Sequence, residues 1–521
     1  MVEMWQDDST SEHKHSLPPE YRVVHLDFKG APPKVSFLRT LFPLIAAAGA
    51  NALLMEYEDM FPYHGVLRNL SAKNCYSKSD IKEINRIASQ SKLEIIPLVQ
   101  TFGHLEFVLK LEEFAHLRET YDFPQELCPN HPETMSLIRE MLRQVRALHA
   151  ESRFMHVGCD EVFHLAVCAR CSTALRQHEA NAASSSMLQS DARFAIFAKH
   201  VARVARVVRD ELGMVAIMWD DMLRQQGPRL VGSELTGLVE PMVWVYTDDI
   251  TRLVPHYVWH AYAAVFPNVW VARETALVPN IARHVANTAA WLRVVAGEEV
   301  TGRKIRRFRG VVLTGWSRYD HFAVLCELLP AAVPSLIIAI AMLSSGHSSF
   351  DEETQLTATK LLGCGSLPDI RAQAEESQLP LLSSASLAAD PYQFNVADTC
   401  SFPGANVLAS MRQLAALHRE VDELYTELTE RQAWLTAYNV RHGFSSPWRI
   451  AEALVKQPFL MSALDSHRNS SQRILSQYLD TSAVNEWLEQ RIEPLHRKMS
   501  GLQRDARTLM SRTHWPRRPL D

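Results

Sequence analysis

Along the first 345 residues, eight short apolar runs rich in strand-forming residues alternate with longer stretches of helical periodicity, and this alternation constrains the fold most. The runs are Arg22–Asp27, Ala52–Met55, Glu94–Val99, Arg153–Gly158, Met214–Trp219, Pro241–Tyr246, Asn268–Ala272 and Gly310–Trp316. Between them, Lys34–Ala48, Ser79–Ser91, Pro132–Ala150, Phe194–Leu212 and Pro279–Ala296 carry apolar residues at helical spacing. Ser79 before Asp80, and Asn130 or His131 before Pro132, are the expected helix starts. Strands buried on both faces and joined by crossover helices predict an α/β protein, a (β/α)8 TIM barrel, over residues 21–345.

The rest of the chain breaks this rhythm. Residues 1–20 form a polar N-terminal tail without the charged-then-apolar design of a secretory signal. Ala180–Ser190 reads as a loop or insertion, and residues 346–404 as a loop-rich connection. From 405 to 521 the pattern is helical. There Leu414, Leu417, Val421, Leu424 and Leu428 are spaced 3, 4, 3 and 4 residues apart, a seam that must be covered by the chain's own helices or by a second copy in a homodimer.

A net charge of −5 argues against a nucleic-acid partner. The one basic cluster, Arg303–Arg309, reads as a solvated loop before a strand, with a nuclear-entry signal as the alternative. Phe322–Leu343 is the most apolar stretch, but Glu327, Pro330 and Pro334 make it a buried helix rather than a membrane span. The eight cysteines follow no framework spacing, so reduced thiols in a cytoplasmic protein are expected, with nuclear entry left open, and the sequons at Asn69 and Asn469 carry no weight. Cys168-Ala-Arg-Cys171, with Cys159 and His164 nearby, suggests a zinc site, but no second Cys-x-x-Cys pair completes it, so no metal and no cofactor are expected.

In a barrel of this kind the chemistry sits at the C-terminal ends of the strands. Those ends read His25-Leu26-Asp27, Glu56-Tyr57-Glu58, Gln100-Thr101-Phe102-Gly103-His104, Asp160-Glu161, Trp219-Asp220-Asp221, Trp244-Val245-Tyr246-Thr247-Asp248 and Trp316-Ser317-Arg318-Tyr319-Asp320. Indole faces stack on pyranose C–H faces and carboxylates accept from hydroxyls, so the set describes a sugar pocket. Two adjacent carboxyls in a dry pocket do not both ionise cheaply, which pairs a proton donor with an anion, as glycosidic cleavage requires.

His156-Val157-Gly158-Cys159-Asp160-Glu161 resembles the signature of glycoside hydrolase family 20, the β-N-acetylhexosaminidases, and its Cys159 resembles the cytosolic hexosaminidase D branch. His25–Pro33, Glu56–Glu58 and Thr314–Phe322 extend the resemblance in the same order. It implies exo-acting release of terminal N-acetylhexosamine, GalNAc or GlcNAc, from glycoconjugates by a retaining, substrate-assisted mechanism through an oxazoline. Glu161 then matches the general acid, Asp160 the carboxylate that holds the acetamido N–H, and Tyr246 the donor to the acetamido oxygen. Trp219, Trp244 and Trp316 match the aromatic box, Asp248 a hydroxyl-binding carboxylate and His104 a histidine beside the acid pair. Where secreted members of the family usually place an Arg at the end of strand one, this chain has His25 and Asp27; where they have Trp-x-Glu on strand eight, this chain has Arg318. Asp27 and Arg318 are therefore the expected hydroxyl readers, and the preferred C4 configuration stays open. A metal-dependent hydrolase using His25, Asp27, His104 and Asp160, and a non-catalytic sugar-binding or scaffold barrel, are the competing readings.

Overall fold

The computed structural model describes residues 17–181, 189–274, 281–297, 305–326, 328–365 and 399–520. In chain order its strands are β1 (Tyr21–Asp27), β2 (Ala52–Glu56), β3 (Glu94–Leu98), β4 (Arg118–Thr120), β5 (Phe123–Leu127), β6 (Phe154–His156), β7 (Val215–Trp219), β8 (Val239–Trp244), β9 (Val269–Glu274) and β10 (Phe308–Thr314). All but β4 and β5 close a parallel barrel in the order β1-β10-β9-β8-β7-β6-β3-β2. Each of the eight expected strands is present. β4 and β5 form an antiparallel hairpin that the sequence reading did not include.

The barrel interior is filled by alternate strand residues, among them Tyr21, Val23, Leu54, Ile96, Phe154, Ile217, Trp270 and Val312. The opposite faces of the strands pack against the helices, such as Val35–Ala48, Lys78–Gln90 and Thr134–Leu148, in a second and larger core. The Lys78–Gln90 helix starts earlier than expected. Its cap is Ser77, whose hydroxyl accepts from the Asp80 N–H while the Asp80 carboxylate accepts from the Ser77 N–H, so the box forms two residues upstream of Ser79. The Thr134–Leu148 helix has no side-chain cap, and His131 instead accepts from the Glu133 N–H. Ala180–Ser190 begins and ends in helix, with residues 182–188 outside the described residues. The apolar stretch before 345 forms the helix Leu329–Ser345, buried along nearly its whole length. No described helix is long and apolar enough to cross a membrane.

The C-terminal region is a helical bundle built chiefly from Ala405–Thr426, Gln457–Leu475, Thr481–Arg491 and Glu493–Met510. Leu417, Val421, Leu424 and Leu428 are buried with Leu460, Leu464, Leu495, Met499 and Leu502 of the same chain. At about 1.5–3 kcal/mol per buried Leu, this packing satisfies the seam, and the sequence argument for a homodimer loses its ground. Leu475, Leu479, Val484, Trp487 and Leu488 join the barrel's outer core, so the bundle is seated on the barrel.

The cysteines depart from the sequence expectations in two ways, although six of the eight are free. Cys364 and Cys400 form a disulfide. Cys168 and Cys171 meet Cys128 and Glu119 rather than Cys159 and His164: Cys159 is buried against Thr101, and His164 pairs with Glu126. In the basic cluster, Arg303 and Lys304 lie outside the described residues, while Arg307 pairs with Glu20 and Arg309 with Glu240. Most of 346–404 and of the N-terminal tail also lies outside them.

Candidate active site

β6 is short because its end is bent. Gly158, Cys159 and Glu161 take φ of +65°, +71° and +49°, a left-handed path that swings Asp160 and Glu161 off the strand direction. Glycine is required at 158, since a Cβ there would lie 1.8 Å from Gln100 Oε1. Gly103 is required on the facing loop, where a Cβ would lie 2.2 Å from the Asp160 carbonyl oxygen. The close approach of these two loops brings His104, also left-handed at φ +51°, against the acid pair. His104 Nε2 lies 3.1 Å from Glu161 Oε2 and 3.5 Å from Asp160 Oδ2.

Burial works against a charge on His104, but Asp160, Glu106 and Glu161 outweigh it and raise its pKa well above the usual histidine value. Burial raises Asp160 to about 6, with Glu56 adding to the effect and His104 opposing it. Among the described residues Asp160 Oδ1 is buried without a partner, and it offers an acceptor to a ligand. Behind the pair, Asp221 accepts from the Glu161 N–H at 2.9 Å and from Trp244 Nε1 at 3.3 Å, tying the acid loop to an aromatic wall. Burial, then the neighbouring Asp160, push Asp221 to about 7.

The acid pair opens into a cavity of about 340 Å³ lined by Lys29, Glu56, Gln100, His104, Asp160, Glu161, Trp219, Trp244, Tyr246, Trp316, Arg318, Tyr319 and Cys326. Its size falls in the range of small-molecule sites, about 300–1,000 Å³. Trp219 and Trp316 lie 6.1 Å apart between ring centres, and Trp244 and Tyr246 5.1 Å apart. Trp316 Nε1 donates to the Tyr246 hydroxyl at 3.1 Å. Trp219 is 1% exposed, so it closes the floor rather than standing at the mouth.

Eight of the ten residues expected at the site line this cavity; Asp27 and Asp248 do not. Asp27 Oδ2 accepts from the backbone and hydroxyl of Ser317 and Oδ1 from the Lys29 N–H, so it brackets the loops after β1 and β10. Asp248 is exposed beyond the cavity, because the chain turns into the Ile250–Leu253 helix just after Tyr246. Arg318 reaches the cavity wall with its guanidinium already engaged. Nη1 and Nη2 bind Glu486 of the C-terminal bundle at 2.6 and 2.7 Å, and Nε donates to the Lys29 carbonyl at 2.7 Å.

Further residues line the cavity, among them Glu56 and Gln100, which stand at strand ends but carry no assigned role in the sequence analysis, and Lys29. Lys29 Nζ lies 3.5 Å from Asp27, 3.9 Å from Glu56 and 3.6 Å from Glu58. Burial opposes its charge, but these carboxylates outweigh it and hold its pKa well above the usual lysine value. It stands near the end of β1, where the sequence reading found only His25 and Asp27. His25 Nε2 is 2.9 Å from Glu56, which also receives Gln100 Nε2 at 3.4 Å. The ligand set His25, Asp27, His104 and Asp160 is not among the groups of described residues that could hold a metal ion.

A family model described as the catalytic domain of glycosyl hydrolase family 20 matches residues 42–255. Hexosaminidase D of Homo sapiens is 38% identical over 506 residues, covering 94% of this chain and 95% of the human protein. Hexosaminidase D of Bos taurus is 43% identical over 361 residues, covering 67% of this chain and 99% of the bovine protein. Among solved structures, the family 20 β-N-acetylhexosaminidase of Streptomyces coelicolor A3(2) aligns at a TM-score of 0.46 and 17% identity, covering 66% of this chain and 70% of that one.

Proposed function

The chain belongs to glycosyl hydrolase family 20, and we propose that it is an exo-acting β-N-acetylhexosaminidase that removes terminal, non-reducing N-acetylhexosamine from glycoconjugates. The observation that carries the reading is the Asp160–Glu161 pair, bent into one aromatic cavity and joined there by His104. A cavity of about 340 Å³ suits a single sugar ring, which is the geometry of an exo enzyme. We assign catalysis to residues 21–345 and a bracing role to residues 405–521.

The proposed mechanism is retaining and substrate-assisted. The sugar's own acetamido oxygen attacks the anomeric carbon as the glycosidic bond breaks, giving an oxazolinium ion. Glu161, as the acid, donates its proton to the departing oxygen and then, as carboxylate, takes a proton from the water that opens the ring. Asp160, ionised, accepts the acetamido N–H and stabilises the positive charge as it develops on nitrogen. The Tyr246 hydroxyl, accepting from Trp316, offers its own proton to the acetamido oxygen. Trp219, Trp244 and Trp316 enclose the acetyl group and ring face. On the far side Lys29, Glu56, Gln100 and Arg318 read the ring hydroxyls, in place of the Asp27 and Asp248 expected from sequence.

Turnover of a chromogenic N-acetyl-β-hexosaminide, GalNAc and GlcNAc in parallel, separates this reading from a sugar-binding barrel without catalysis. A thiazoline analogue of the oxazoline should inhibit the parent strongly and Asp160→Asn weakly. Equal inhibition of the two would remove the acetamido group from the mechanism. We also assign the chain to the cytoplasm, with access to the nucleus. Six cysteines without a disulfide support this, whereas the Cys364–Cys400 bond counts against it. Cell fractionation with thiol trapping decides between the two.

A further inference from the structure

Outside the cavity, four potential ligands converge where the β4–β5 hairpin meets the loop that carries Glu161. Cys128 follows β5, Glu119 is the middle residue of β4, and Cys168 and Cys171 bracket the first turn of the helix Ala169–Asn181. One ligand atom from each lies within 4.8 Å of all the others. Cys128 Sγ is 3.4 Å from Cys168 Sγ and 3.5 Å from Cys171 Sγ. Around a tetrahedral zinc with Zn–S near 2.3 Å, sulfurs stand about 3.8 Å apart, so the cluster needs only a few tenths of an ångström of expansion to hold the ion.

Three features distinguish this cluster from thiols that merely pack together. Glu119 is 3% exposed, and no Lys, Arg or His among the described residues lies within ion-pair distance of it. Its Oε1 accepts from the Val167 and Cys168 N–H groups at 2.7 and 2.9 Å, while Oε2 is buried and, among the described residues, has only the weak thiol donors of Cys168 and Cys171 beside it. A buried carboxylate oxygen left in this state is costly unless a cation meets it. The sulfurs also accept N–H groups: Cys171 N–H points at Cys168 Sγ, and Asn130 Nδ2 at Cys171 Sγ, both at 3.3 Å. Donors already aimed at the sulfurs would support the thiolates that form when a metal ion displaces their protons.

We propose that Cys128, Cys168, Cys171 and Glu119 bind one structural zinc ion. Three soft sulfurs with one oxygen favour zinc over magnesium, calcium or manganese. Binding releases the thiol protons to solvent and leaves no open coordination position, so the ion takes no part in the reaction. None of the four lines the cavity. The ion acts through the hairpin, which supports both halves of the acid site. Gln125 donates to the Glu161 carbonyl and accepts from the Leu105 N–H, next to His104. Glu126 receives the N–H groups of Phe163 and His164, between Glu161 and Cys168. The zinc would fix the base of this hairpin to the end of the acid loop.

The test uses the full chain, purified under reducing conditions without chelator. Elemental analysis should find about one zinc per chain, and cobalt(II) exchanged into the site should show thiolate-to-cobalt charge transfer with the intense visible bands of a tetrahedral ion. Cys168→Ser and Cys171→Ser should each lose most of the metal and unfold at lower temperature. Glu119→Gln should keep the charge-transfer band but alter the visible bands. Should the cysteine variants fail to fold, the zinc content and cobalt spectrum of the parent still decide. A parent that holds no zinc and takes none up on addition of zinc chloride overturns the proposal. So does a Cys128 disulfide in the reduced preparation, or a cobalt spectrum that Glu119→Gln leaves unchanged.

Discussion

The pH dependence of turnover tests the acid pair most directly, because the required protonation states are opposed. Asp160 must be ionised to hold the acetamido N–H, yet burial places its pKa at about 6 in the free enzyme. Its anion is the major form above that value and is lost as pH falls through it. At one pH unit below the pKa only about a tenth of the sites carry the anion, so kcat/KM should fall roughly tenfold per unit below about pH 6. His104 opposes the upward shift, since its pKa lies well above the usual histidine value and its charge stabilises the Asp160 anion. Removing that charge raises the Asp160 pKa further. His104→Gln should therefore move the acidic limb to higher pH, whereas loss of a merely structural histidine would lower the whole profile without shifting it. The assay is kcat/KM for a nitrophenyl N-acetyl-β-hexosaminide between pH 4.5 and 8.5, with stability checked at each pH. A parent profile flat down to pH 4.5, or a His104→Gln limb displaced downward, would refute the assignment of Asp160 as the anion.

Three further outcomes are expected. Glu161→Gln should lower hydrolysis of disaccharides by about 10²–10⁴-fold and of nitrophenyl glycosides less, since the better leaving group needs less protonation; equal losses on both substrates count against Glu161 as the acid. Glu486→Ala strands the Arg318 guanidinium and removes the acceptor of the Leu325 N–H, for a loss of about 2–3 kcal/mol in denaturant unfolding, discounted because Glu486 is partly exposed; KM should rise with it, as Arg318 lines the cavity. Leu417→Glu combined with Leu424→Glu should destabilise the protein without changing its mass in sedimentation, because both side chains are buried in the bundle of their own chain.

The barrel was legible because its strands are apolar on both faces and its helices on one, two periods that separate cleanly in sequence. The β4–β5 hairpin was not: Arg118–Thr120 is too short to show alternation, and Phe123–Leu127 contains Pro124 and two polar residues. At the site, the acids and tryptophans could be read because they follow strand ends directly. Lys29 was hidden because it lies two residues beyond β1 and becomes a site residue only when the chain folds back under Trp316, 5.3 Å from its ring centre. Asp27 and Asp248, at strand ends, do not line the cavity. Strand ends bring side chains to the right end of the barrel, but whether a carboxylate faces the cavity depends on the loop that follows. Ser317 captures Asp27, and the turn into the next helix carries Asp248 outward. The three-cysteine cluster shows the same limit. Cys128 is 40 residues from Cys168, and a spacing that long encodes no proximity until the hairpin exists.

None of the C-terminal helices lines the cavity, but they hold the walls around it. Two segments of the barrel surface are held by the bundle. Behind β1, Pro33 forms a β-bridge with Leu479 and Lys34 donates to the Ser476 carbonyl. Behind β10, Glu486 binds Arg318 and the Leu325 N–H, and Arg491 donates to the Leu325 carbonyl. Arg318 in turn holds the Lys29 carbonyl, so the loops that carry Lys29 and Trp316 are joined to each other and to the bundle. A guanidinium between two loops has five donors in a fixed plane, and a bidentate carboxylate is the partner that locks that plane. The Arg at position 318, where secreted members of the family usually have a hydroxyl-binding Glu, therefore joins the cavity wall to the helical bundle. The position of this side of the cavity wall then depends on how firmly the bundle is seated as well as on the lining residues.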